Sequence, residues 1–233
     1  ARKSCLSKYF QTSNISDSVD EAVAKLIINR LTQEYPQYFN LVNEGEYLIL
    51  QCQLTKETLY LNAKFQLLKY ESADKSVFPD YISTLDALAA QIQSDIVVIS
   101  RNGNHDNWMS AIHLCYPNHW SAEEKIGKDF AQTHLPVAGI EKINKRAKAI
   151  VNTMIQRKPM VRFAWGLSTD TRLNHHPQPP FDIGLNQWQG RNFDIENPSL
   201  FLRIERQVMW GLSENDAAIF TIRTYFRDCR TIK

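Results

Sequence analysis

LRIERQVMWGLSENDAAIFTIRTYF, Leu202–Phe226, is the stretch whose reading decides the fold. In its first half Leu202, Ile204, Val208 and Trp210 alternate with Arg203, Glu205, Gln207 and Met209. In its second half Ala218, Phe220, Ile222, Thr224 and Phe226 alternate with Ile219, Thr221, Arg223 and Tyr225. A period of two places successive side chains on opposite faces of a strand, so two strands are expected, joined by a turn over Gly211–Asp216. Arg206 interrupts the apolar series, where an unpaired charge would be costly. Upstream, Met160–Ser168 repeats the pattern: Val161, Phe163, Trp165 and Leu167 point one way, Arg162, Ala164, Gly166 and Ser168 the other. Three consecutive alternating strands predict an antiparallel sheet packed on one face.

Working toward the N-terminus, the β-branched run Ile96–Ser100, the turn signal Asn102-Gly103-Asn104 and the stretch Ala111–Tyr116 predict a hairpin. Helices separate it from the last three strands. WSAEEKIGKDFAQTHLPV, Trp120–Val137, reads as one short helix in which Ser121 and Glu124 form a capping box. Ile126, Phe130 and His134 then share a face at spacings of four, and Pro136 stops the helix. A second helix carries Ile140, Ile143, Ala147, Ile150, Val151 and Met154. The polar, proline-rich stretch Thr169–Pro198 exceeds an ordinary loop and reads as a lid or an excursion.

Strand, strand, helices and three strands is the order of a PAS-like domain, expected over residues 95–233. Its fold class is α+β, with an antiparallel sheet, helices over one face and a ligand pocket between. Residues 1–94 read as a mainly helical N-terminal extension. Val23, Ile27 and Leu31 mark a helix from about Asp20 to Tyr35, ended by Pro36; Leu85, Leu88, Ala89 and Ile92 mark another, which Pro79 precedes. Tyr47–Gln53 looks extended, and Thr58–Leu68 fits a strand or a helix.

Charge narrows the partners. The 27 basic and 25 acidic residues leave a net charge of +2, which gives no reason to expect nucleic acid or an anionic membrane surface as a partner. No apolar run approaches the roughly 18 residues of a membrane span, and ARKSCLSKYF has no signal core. Cys5, Cys52, Cys115 and Cys229 form no Cys-x-x-Cys pair, as suits a reducing compartment. A cytoplasmic protein is expected.

His134 is the residue with the sharpest possible role. An imidazole fixed on an apolar helix face is what an axial ligand to a haem iron needs. A core histidine bonded to a backbone carbonyl has the same sequence signature, and spacing leaves both readings open. His119 lies at the mouth of the same helix and is the alternative ligand, or a second axial one. His113 falls in a strand, His175-His176 in the polar stretch where solvation is expected, and no spacing suggests a two-histidine, one-carboxylate iron site.

Five segments carry a resemblance: Leu85–Ile99 (LDALAAQIQSDIVVI), Cys115–Val137 (CYPNHWSAEEKIGKDFAQTHLPV), Arg162–Trp165 (RFAW), Leu202–Gln207 (LRIERQ) and Phe220–Thr224 (FTIRT). With these in register, the chain resembles the haem-dependent oxidative N-demethylase family. That resemblance implies a PAS-like fold binding b-type haem (heme b) through a histidine, which selects His134. It also implies dioxygen as oxidant, a small methylated amine as substrate, formaldehyde as product, and electrons from NADPH through a partner reductase with flavin and an iron–sulfur centre. This chain has no GxGxxG string and no cysteine cluster to hold such groups itself. The Asn118-His119-Trp120 segment departs from the family pattern, and the chain is expected to stop short of its relatives' C-termini.

Haem propionates need cations, and a guanidinium matches a carboxylate well. Arg162, Arg203, Arg206 and Arg223 are the candidates, with Arg206 foremost because of its place in an apolar series. Lys125 and Lys128 are expected to face solvent. Glu205 and Trp165 are candidates to hold a cationic amine beside the iron. A non-catalytic haem or small-ligand sensor of PAS type is the competing function, since fold alone does not choose between them.

Overall fold

The computed structural model describes residues 6–73, 80–135, 139–190 and 192–232. Pro79, Pro136 and Cys5 lie outside them, as does the expected proline stop of the His134 helix. The chain divides into two compact units, Asn14–Gln93 and Ala1–Ser13 with Ser94–Lys233.

Helix α1 (Leu6–Tyr9) and strand β1 (Phe10–Thr12) open the chain and belong to the larger unit. The smaller unit begins with α2 (Asp17–Glu34), whose N-terminus is capped by Ser16 Oγ accepting the Val19 N–H at 3.3 Å. Its face of Val19, Val23, Ala24, Ile27, Ile28 and Leu31 is buried. Then come β2 (Phe39–Glu44), β3 (Tyr47–Cys52), β4 (Glu57–Leu61) and β5 (Leu67–Ser72), a four-stranded antiparallel meander, and α3 (Thr84–Ala90). The expected mainly helical extension is thus a mixed unit. The ambiguous stretch Thr58–Leu68 is two strands, because Asn62 makes a turn: its Oδ1 accepts the N–H groups of Lys64 and Gln66, both at 2.9 Å.

In the larger unit β6 (Asp95–Arg101) and β7 (Asn107–His113) form the expected hairpin. Four short helices follow: α4 (Ala122–Lys125), α5 (Phe130–His134), α6 (Glu141–Asn144) and α7 (Ala147–Gln156). Strand β8 (Met160–Ser168), helix α8 (Leu185–Gln189) inside the polar stretch, and strands β9 (Phe201–Leu212) and β10 (Ala217–Asp228) complete it. The sheet order is β1-β7-β6-β10-β9-β8, antiparallel throughout, so β8 is an edge. Strands β9 and β10 pair without a register shift from Ala217↔Leu212 to Asp228↔Phe201, so parity along them is constant.

That parity inverts one expectation. The face covered by helices carries Asp95, Val97 and Ile99 of β6, Phe220 and Ile222 of β10, and Glu205, Gln207 and Met209 of β9. Arg206 and its apolar neighbours Leu202 and Ile204 lie on the other face, and Arg206 is exposed. Helix α7 supplies the hydrophobic cover, burying Val151, Met154 and Ile155 against Ile99, Met109 and Met209. Gly211 permits that approach: a Cβ there would stand 2.1 Å from the Ile155 carbonyl oxygen.

Candidate functional site: a polar-edged cavity beneath His134

The segment from Trp120 to Leu135 is two helices, not one. Ser121 Oγ caps α4 by accepting the Glu124 N–H at 3.3 Å. The chain then turns at Gly127, φ 74°, and pairs with the sheet: Gly127 N–H donates to the Met109 carbonyl and Met109 N–H to that of Lys128, each at 2.9 Å. Those two bonds explain the break, since backbone spent on β7 is unavailable to a continuous helix. The capping box sits at the second helix, where Asp129 Oδ1 accepts from Gln132 N–H at 2.7 Å and Gln132 Oε1 from Asp129 N–H at 3.0 Å. Asn107 on β7 accepts the Phe130 N–H at 2.9 Å, and Asn144 on α6 donates to the Ala131 carbonyl at 3.1 Å. Helix α5 is therefore tethered at its start and flank, which fixes where His134 stands.

His134 Nδ1 lies 2.7 Å from the Phe130 carbonyl oxygen. A carbonyl only accepts, so Nδ1 carries the proton and donates, and the lone pair resides on Nε2 at the far edge of the ring. Burial pulls the imidazole pKa down, the Phe130 carbonyl opposes that, and Lys125 and Arg162 lower it further. The ring stacks on Phe130 with centroids 4.3 Å apart. The carbonyl bond is what the core-histidine reading expected, but the ring also lines a cavity.

The cavity has a volume of about 460 Å³, within the range of small-molecule sites. Its floor is sheet (Val97, Ile99, Met109, Phe220) and its roof helical (Phe130, His134, Ile143, Ile150, Met154). One side is polar. Arg162 Nε donates to Gln207 Oε1 at 2.6 Å, Gln207 Nε2 donates to Glu205 Oε2 at 3.0 Å, and Arg203 Nε stands 3.6 Å from Glu205 Oε1. Lys125, expected in solvent, lines the cavity over the Trp120 ring at 4.6 Å, and burial lowers its pKa. Thr133 Oγ1 is buried there without a hydrogen-bond partner.

Of the expected site residues, the structure brings together His134, Arg162 and Glu205. Arg203 is on the same face but serves the backbone: it donates to the carbonyls of Tyr116 at 2.9 Å and Leu173 at 3.3 Å and is only 3% exposed. Arg206, Arg223 and Trp165 have the parity of the opposite face, away from the cavity; a polar pocket reverses the usual inward-apolar rule. His119 is exposed, at φ 60°, beside His175. His175 and His176 are not solvated as expected but buried, tied by His175 Nε2 to Asp170 Oδ1 at 3.1 Å and by the Trp188 indole N–H to the His176 carbonyl at 2.6 Å. Sequence reasoning missed Gln207 and Thr133; for Gln207 the signal was available, because it shares parity with Glu205.

Among the described residues, no three or more His, Cys, Asp and Glu side chains gather as a metal site. Nor is any helix among them long and apolar enough to cross a membrane.

Fold and site thus define an α+β protein with antiparallel sheets and a histidine facing a cavity that is apolar on most sides and polar along one edge. The chain belongs to the haem-dependent oxidative N-demethylase, alpha subunit-like family, whose model matches residues 1–233. Haem dependence and oxidative demethylation are what that family's name denotes.

Proposed function

We propose that the cavity binds b-type haem with His134 Nε2 on the iron, and that the protein oxidatively removes a methyl group from a small amine. The observation that carries this is the 2.7 Å contact of His134 Nδ1 with the Phe130 carbonyl: an acceptor there keeps the proton on Nδ1 and leaves Nε2 free, and burial favours the neutral ring, which is the ligand form. Two cations, Lys125 and Arg162, and a single carboxylate, Glu205, are among the lining side chains, an excess of positive charge that suits two propionates. Helices over one face of the sheet with a ligand space between them also support the PAS-like reading, with residues 95–233 as the haem domain.

Bound haem supplies the dioxygen-dependent oxidation of the N-methyl carbon. The chain's part is ligation, orientation and exclusion of water. Glu205, held by Gln207, offers its carboxylate to a cationic amine, while Ile143, Ile150 and Met154 keep the opposite wall dry. Electrons would come from NADPH through a flavin and iron–sulfur reductase, dioxygen from solution, with formaldehyde released and the cytoplasm as setting.

The test is spectroscopic. Added haem should give a Soret band that His134→Ala abolishes while the far-ultraviolet dichroism is kept. Reduction in air with a small methylated amine should then release formaldehyde. A Soret band unchanged by His134→Ala would remove His134 from the iron; haem binding without formaldehyde would favour a sensor.

A further inference from the structure

We infer that β8 pairs edge to edge with β8 of a second copy of this chain, antiparallel about a two-fold axis at Ala164. Strand β8 is an edge of the six-stranded sheet, and among the described residues β9 is its only strand partner. Alternate N–H and C=O groups along its nine residues therefore face outward, a template for another strand. Two other edges are blunted. Strand β1, at the far edge of the same sheet, has three residues; β5, an edge of the smaller sheet, carries Lys69 and Glu71 beside a register shift at Tyr60/Leu61. Strand β8 has no proline, no lysine and no register shift, and Arg162 is its only charge. It also leaves Val161, Phe163, Trp165 and Leu167 between 51% and 73% exposed.

The sequence of the strand selects the occupant. Around Ala164 the series Val161-Arg162-Phe163-Ala164-Trp165-Gly166-Leu167 is a near-palindrome in size and polarity. A two-fold axis there sets Phe163 opposite Trp165 of the second copy and Val161 opposite its Leu167, each pair twice and all on the outer face. Aromatic and β-branched cross-strand pairs of this kind stabilise a sheet. On the inner face Arg162 meets Gly166 of the second copy, a position where a Cβ would touch nothing within 4 Å, so the guanidinium has room. The two Arg162 residues stand four positions apart along the seam, about 14 Å, which is beyond the Debye length at physiological salt. No like charges face each other, so the edge is self-complementary, as an isologous contact requires. Pairing needs no haem, but Arg162, Phe163 and Ala164 also line the cavity, so the seam buttresses its wall.

Sedimentation of the purified chain without haem, from ~2 to ~200 µM, should show a reversible monomer–dimer equilibrium. Over the same range amide hydrogen exchange should slow at alternate residues of β8. Phe163→Glu and Trp165→Lys should each weaken association about tenfold or more. The double variant Phe163→Glu/Trp165→Lys sets each glutamate opposite a lysine and should regain about tenfold at low salt. Far-ultraviolet dichroism at ~2 µM checks that each variant folds; should one not, Leu167→Lys tests the same seam. A chain that is monomeric at ~200 µM overturns the inference, as does a dimer whose β8 amides exchange as fast as the monomer's. So does a double variant that regains nothing, because the register is then wrong. A dimer that Tyr225→Ser dissociates also overturns it: Tyr225 lies two strands from the seam, about 10 Å away, and answers only to stacking of outer faces.

Discussion

The two faces of strand β9 carry the chemistry one would assign to each other. Toward the helices stand Arg203, Glu205 and Gln207, polar and mostly buried; away from them stand Leu202, Ile204 and Arg206, with the arginine exposed. Ordinary half-buried strands do the opposite. The inversion teaches that on this sheet polarity follows the ligand space, and that the polar side chains inside persist because each has a partner. Arg203 and Arg206, three residues apart, show this at fixed residue type.

The largest expected effect separates those two arginines. Arg203→Ala removes donors from the Tyr116 and Leu173 carbonyls and leaves Glu205 without its nearest cation, in a place that is almost wholly buried. Truncating one partner of a buried charged network costs about 3–5 kcal/mol. Arg206→Ala, on the exposed face, should stay within about 0.5 kcal/mol. Urea unfolding of the two variants measures the difference, and equal losses would erase the contrast between the faces.

Asp95 sharpens the same contrast through pH. It shares the inner face, and its carboxyl is pushed up to about 7, chiefly by burial and also by Glu205, against the N–H groups of Cys115 and Tyr116 and the charge of Arg203. Between about pH 4 and pH 7 the unfolded chain ionises this group while the folded one keeps it protonated. Its contribution is therefore complete below pH 4 and fades as pH rises through 7, by at most about 4 kcal/mol. Asp95→Asn retains an oxygen to accept from both backbone N–H groups and cannot ionise. The fall in stability from about pH 5 to about pH 8 should shrink by about 1–4 kcal/mol in the variant. An unchanged pH profile would show that Asp95 is ionised throughout.

Much of this was legible. Periodicity located β6 to β10 and their antiparallel pairing, because alternation is a local signal that one packed face writes directly into the chain. It could not assign which face was covered: the apolar side of Val161, Phe163, Trp165 and Leu167 looked inward and is exposed. His134 was found by spacing, yet the helix supposed to present it is broken at Gly127 by bonds to Met109, partners distant in sequence that no spacing reveals. Lys125 and Gln207 were missed for the same reason, since the cavity that gives them meaning is assembled from five strands and helices. Asn62 hid a turn inside a stretch with both periods.

The smallest expected effect tests the outer face alone. Trp165 is the residue a core-centred reading would protect first, being the largest side chain of an apolar series. Its ring is 73% exposed and its cross-strand neighbour is Ile204, itself half-buried. A cross-strand pair of this kind contributes about 0.2–1 kcal/mol, and exposed substitutions away from caps and networks mostly fall within about 0.5 kcal/mol. Trp165→Ser should therefore leave the urea midpoint nearly unmoved, and the Soret band of haem-loaded protein as well. A loss above about 2 kcal/mol would mean that the ring is packed rather than exposed, and would erase the contrast between the two faces.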